Sequence, residues 1–190
     1  MRYFKNIIIC AFFLLSFVCF KQNLKDETIV WNKSVPLTWD DFKGKIDTNN
    51  KINAAITTSG ISKLYKKKGD TVYLSIKTKF YKYDSWIKLK YKTTEILKHE
   101  QGHFDITEIF ALRLRKLYLS YKFNKSNPKN EIDLLFNKNK EEESKYQDLY
   151  DKETNHHKTK MKQLEWGKKI AKELKELEAY NNTELKIILK

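Results

Sequence analysis

Between Thr71 and about Tyr83, apolar Val72, Leu74, Ile76 and Phe80 alternate with Tyr73, Ser75, Lys77 and Lys79. That is the two-residue period of a strand with one buried face. The stretch before it, Ile52 to Tyr65, is rich in Thr, Ser and Ile, and Lys66-Lys67-Lys68-Gly69-Asp70 separates the two. A β-hairpin is predicted, with that polar segment as its turn. A shorter strand is expected at Thr28 to Trp31, and Leu37 to Phe42 reads as a capped turn with Thr38 as cap. Asp84-Ser85-Trp86 ends the hairpin, and Ile87 to Tyr91 leads into a helix.

From about Thr93 to Tyr121 the period changes to 3.6. Turning 100° per residue from His99 puts Ile96, His103, Ile106, Phe110, Leu114 and Leu117 on one side, with Lys98, Gln101, Asp105 and Lys116 on the other. Phe123 to Asn130, with Pro128, is a connection. A second long helix, rich in Lys and Glu, is predicted from about Glu131 or Glu141 to Leu177. On its wheel Tyr146, Leu149, Glu153, Leu164, Gly167, Ala171 and Leu174 share a side with His156, and His157 lies 100° round. The tail after Tyr180 carries no strong pattern. The expected class is α+β: a small antiparallel sheet packed on two long helices, in one domain over residues 28–180 with a tail at 181–190.

The first 22 residues differ from the rest. Met1 to Asn6 is a basic start, and Ile7 to Phe20 is an apolar run too short for a typical membrane span. This is the form of a secretory signal or N-terminal anchor, and it predicts export to the periplasm, envelope or exterior of a bacterium. Cys19, with Leu14 and Leu15 upstream, forms a poor lipidation box. Cys10 and Cys19 are the only cysteines of the 190 residues, so the exported part has neither a disulfide nor a thiolate ligand. The net charge of +14 raises the question of a polyanionic partner. The lysines are spread along the chain without a basic block or a nucleic-acid motif, so nucleic acid is not expected as a partner. Membrane attachment is expected only through the N-terminal segment.

The chemistry concentrates in His99-Glu100-Gln101-Gly102-His103. Histidines four apart on a helix present their rings on one face, where both can bind one Zn²⁺. Glu100 beside them is placed to take a proton from water that the ion acidifies. Gly102 costs the helix about 1 kcal/mol relative to Ala, which suggests that another part of the chain or a substrate comes close. Asp105, on the far side, is assigned a structural role in fixing a neighbouring loop. A catalytic zinc uses three protein ligands and leaves a fourth position open. The remaining histidines are His156 and His157. His156 is the expected third ligand, with Glu153 the fallback and His157 an alternative. Tyr150 or His157, whichever reaches the cleft, is the candidate oxyanion stabiliser.

Leu37-Thr38-Trp39-Asp40-Asp41-Phe42, Ser85-Trp86, the heptapeptide His99 to Asp105, and Tyr150-Asp151-x-x-Thr154-x-His156 together resemble a bacterial family of secreted zinc-dependent proteases catalogued as a domain of unknown function. The resemblance covers most of the exported chain. It implies a zincin-like fold, one zinc per chain and a peptide or protein substrate. The family pattern Thr-x-His-Gly matches Thr154, Asn155 and His156 but meets His157 where Gly is expected. The alternative is a non-catalytic envelope protein in which a metal only ties two helices together.

Overall fold

The computed structural model describes residues 27–189. The apolar leader and both cysteines lie outside the described residues. The elements in order are β1 (Thr28–Val30), a 3-10 turn (Trp39–Asp41), β2 (Ala55–Ile56), β3 (Ser59–Lys68), β4 (Thr71–Tyr81), β5 (Trp86–Ile87) and a 3-10 turn (Leu89–Tyr91). Then come α1 (Thr94–Ser120), α2 (Pro128–Thr154), α3 (Lys160–Glu176), a 3-10 turn (Glu178–Tyr180) and β6 (Glu184–Ile188).

The fold is α+β, as the alternation of patterns predicts. β3 and β4 form the hairpin, paired from Ser59↔Phe80 to Lys68↔Thr71. Gly69 takes φ of +57° in the turn, a conformation glycine adopts without a Cβ penalty. The opposite edge of β4 is shared: β1 pairs with Thr28↔Tyr81 to Val30↔Lys79, and β6 with Thr71↔Ile188 to Ser75↔Glu184. The segment expected to be a patternless tail therefore completes the sheet. Its period, Leu185 and Ile187 inward with Glu184, Lys186 and Ile188 outward, is too short to stand out in the sequence. Residues 52–65 divide likewise into β2, which pairs with β5, and β3.

The even residues of β4, Val72, Leu74 and Ile76, pack with Leu185 and Ile187 against Ala111, Leu114 and Tyr118 of α1. On its other side α1 meets α2 and α3 through Ile106, Ile109, Phe110, Tyr150, Trp166 and Ile170. α1 is thus a middle layer, buried on more than the single stripe its wheel defines. Phe104 is buried, while Leu117, expected inside, is partly exposed. Thr93 caps α1, its side chain accepting from Ile96 N at 3.2 Å. Asp105 ties down a loop as expected, accepting from Trp31 Nε1 and Gln101 Nε2, each at 2.8 Å. Burial holds its carboxyl above the ordinary range despite those two bonds.

The predicted second helix is two helices. α2 stops at Thr154, and Asn155, His156 and His157 all take positive φ, of 49°, 48° and 73°. Asn155 N–H closes the helix end on Asp151 O and Lys152 O. The turn lets α3 fold back along α1. Helical periodicity continued across 155–159 is the reason a single helix is expected from the sequence. Among the described residues no helix is long and apolar enough to cross a membrane.

Candidate metal centre

His99 and Glu100 lie on the second turn of α1 and His103 on the third, beside the closing end of α2. His99 Nε2 and His103 Nε2 are 3.2 Å apart, and each lies 3.0 Å from Asp151 Oδ1 on α2. Among the described residues these three form the group of donors close enough to share a metal ion. Tetrahedral ligands at Zn–N and Zn–O distances of about 2.0–2.2 Å stand about 3.3 Å from one another. The observed spacings fit that requirement within a few tenths of an ångström.

The imidazoles are also held in the tautomer that metal binding needs. Gln147 Nε2 donates to His103 O at 3.0 Å, which leaves Gln147 Oε1 facing His103 Nδ1 at 2.7 Å. Gln163 Nε2 donates to the Tyr150 hydroxyl at 2.6 Å, and Gln163 Oε1 faces His99 Nδ1 at 3.0 Å. An amide oxygen only accepts, so both Nδ1 atoms carry the proton and both Nε2 atoms present lone pairs to the centre. Two lone pairs and a carboxylate oxygen about 3 Å apart repel one another unless a cation lies between them.

Without a metal, protons fill that role. Burial disfavours the charged form of His103, but the carboxylates of Asp151 and Glu100 outweigh it and raise its pKa above the ordinary imidazole value. Burial likewise works to raise Asp151, and the bonds from His103 and His99 outweigh it, holding the carboxyl far below the usual range. His157 is shifted the other way, first by burial and then by His99, and is neutral near pH 7.

The third member of the group that could hold a metal is Asp151, where the sequence puts His156. The wheel that put His156 inward assumed an unbroken helix, and on that wheel Asp151 faces away. The left-handed turn moves His156 outside the donor group, with its Nδ1 3.4 Å from Asp151 Oδ2. His156 and His157 both line the cavity, and the His157 ring meets that of His99 at 5.9 Å between centroids. Glu153, the fallback ligand, accepts from Trp166 Nε1 at 2.8 Å and is not in the donor group. Tyr150 does not line the cavity. Its buried hydroxyl donates to His99 O at 3.2 Å and accepts from Gln163, so it positions the site and does not face a substrate. Glu100 is where expected, buried and lining the cavity beside both histidines. Gln147 and Gln163 carry no sequence signal that marks them among so many polar helix residues. Asp151 has one, its place in the Tyr150-Asp151 pair of the resemblance.

Gly102 is explained by Tyr150. A Cβ there would lie 2.9 Å from Tyr150 Cζ and overlap its hydroxyl oxygen. Overpacking of this kind costs about 1–3 kcal/mol, against about 1 kcal/mol that alanine returns in helix propensity. Gly102→Ala is expected to lower the urea midpoint modestly and to weaken zinc binding, because Tyr150 must move away from Gln163 and the His99 carbonyl. Urea unfolding and a zinc titration on parent and variant check both effects.

The centre opens into a cavity of about 120 Å³, walled on the far side by Asn53 to Thr57. Thr57 Oγ1 donates to Glu100 O at 3.2 Å and pins that wall to α1. No protein-family model, no curated protein and no solved structure matches the chain.

Proposed function

We propose that the chain is a zinc-dependent metallopeptidase exported by a bacterium. The observation that carries the reading is the pair of imidazoles locked as Nδ1–H tautomers, with both Nε2 lone pairs aimed at the Asp151 carboxylate oxygen. Two histidines and a carboxylate are a donor set of catalytic zinc sites that keep a position open. The cavity beside the three donors leaves room for such a position. A further support is φ of +73° at His157, a region that favours glycine, at the position where the resembling family has Gly. The basic and apolar leader supports export.

When bound, zinc would polarise the scissile carbonyl and acidify the attacking water. Glu100 takes the proton of that water and returns it to the leaving amine. His157, neutral and facing the cavity, is placed to donate to the developing oxyanion. The extended wall for a substrate is Asn53 to Thr57, which includes β2. β5, the strand just before the helix, is buried at Trp86 and Ile87 and pairs with β2.

Glu100→Gln tests the reading. The variant is expected to keep one zinc per chain while peptide hydrolysis falls by about 10²–10⁴-fold, the range for loss of a general base. A zinc-loaded parent that cleaves nothing in a broad peptide library, and unfolds on chelation, would instead identify a structural metal tying α1 to α2.

A further inference from the structure

A second cavity, of about 260 Å³, lies between the free edge of β3 at Ser59 to Ile61 and Phe136, Asn139 and Lys140 of α2. Asn139 is 8 % exposed, and its Nδ2 has no hydrogen-bond partner. A buried donor left unpaired costs about 1–3 kcal/mol, and Asn139 also lines the cavity, so an acceptor that enters there can relieve that cost.

The strand opposite is equally unpaired. Tyr81 N–H bonds to Thr58 O, so in the β3–β4 ladder Thr58, Gly60 and Ser62 turn their backbone groups toward β4. Ser59 and Ile61 turn theirs outward. Among the described residues no strand pairs on that side. The two cavities share one wall, because Asn53 to Thr57 line the metal centre and Ser59 to Ile61, the same run of chain continued, line the second. On the opposite wall Asn139 stands twelve residues before Asp151, about 18 Å along α2. An extended chain covers that distance in about five residues.

We infer that this second cavity is an anchoring subsite for an extended polypeptide, which adds as a strand to Ser59–Ile61 while Asn139 Nδ2 donates to one of its carbonyls. Backbone amides spaced along a strand match the alternating free groups of the β3 edge, and Ile61 and Phe136 supply apolar walls for its side chains. The inference rests on the metallopeptidase reading for what the bound chain is there for. It narrows the substrate class to unfolded or unstructured polypeptide, since a folded protein cannot enter a cleft that needs about five extended residues.

Binding is read on the Glu100→Gln protein with fluorescein-labelled lysozyme, either native or reduced and carboxymethylated so that it stays unfolded. The unfolded form is expected to bind and the native form not to. Adding Asn139→Leu is expected to weaken binding at least about tenfold, while zinc content stays at one per chain and stability does not fall, since leucine removes the orphan donor. As a readout free of that second substitution, amide exchange at Ser59 and Ile61 is expected to slow at least about tenfold on binding, as for groups drawn into a ladder. Equal affinity with and without Asn139→Leu, equal binding of native and unfolded lysozyme, unchanged exchange at both amides, or no binding of unfolded chain would each overturn the inference. If the parent holds no zinc but the Asn139 effect persists, the metallopeptidase reading fails and the subsite stands.

Discussion

Replacing Asp151 with alanine is expected to remove zinc binding from the purified protein. The carboxylate supplies one of three donors and the only negative charge among them, and both histidine Nε2 atoms point at its Oδ1. The loss should exceed the about 10–100-fold that removal of an outer partner costs. Gln147→Leu, which removes the bonds to His103 Nδ1, His103 O and Thr107 Oγ1 but none of the three donors, provides that smaller comparison. His156→Ala should leave zinc content unchanged, because that ring lies outside the donor group. Competition titration with a chromogenic chelator ranks the three variants, and retention of stoichiometric zinc by Asp151→Ala would remove Asp151 from the site.

The same geometry fixes the sign of the pH dependence. His103 has a raised pKa, so in the metal-free protein its pairing with Asp151 stabilises fully below the ordinary imidazole value and fades as pH rises through the raised one. Asp151 has a depressed pKa, so its share is present above the ordinary carboxylate value and is lost only in strong acid, as pH falls through the depressed one. The metal-free protein should therefore melt at lower temperature as pH rises from the ordinary imidazole value through the raised one of His103. Zinc competes with the His103 proton, so its affinity should rise over the same range. Melting curves with and without zinc should separate as pH increases.

The largest effect on stability is expected from Arg115→Met. Arg115 is 1 % exposed and fills the gap between β1 and β6 on the edge of β4. It donates to Glu108 Oε1 at 2.8 Å, to Ile76 O at 2.9 and 3.2 Å, and to Tyr180 O at 3.4 Å. Its removal leaves the buried Glu108 charge and two carbonyls without a partner, a change that costs about 3–5 kcal/mol. Against a domain stability of about 5–15 kcal/mol, that brings the protein near unfolding. Changing Glu108 to Leu in the same chain should recover part of the loss, because an apolar pair leaves no uncompensated charge. Urea unfolding of the single and double variants measures both. Arg115 lies about 24 Å along α1 from His99, so the folded fraction should bind zinc as the parent does.

The hairpin, α1 and the pairing of His99 with His103 were legible because each depends on short-range periodicity within one element. The same holds for Glu100, and for Gly102, whose unfavourable presence in a helix announced a close neighbour. β6 was not legible, since five residues with two inward positions become a strand only where β4 offers an open edge. Nor was the break at 155–157, where two histidines adopt a backbone conformation that neither their type nor the surrounding period indicates.

By itself, then, the amino-acid sequence determined the class of fold and the helix that carries two imidazoles and a carboxylate. Tertiary structure decided the third donor. Packing α2 and α3 on α1 leaves His156 on the cavity wall outside the donor group, brings Asp151 Oδ1 within 3.0 Å of both rings and sets Gln147 and Gln163 behind them. Those contacts join residues 44 to 64 positions apart. Only the packing of three helices, not any local pattern, could select them.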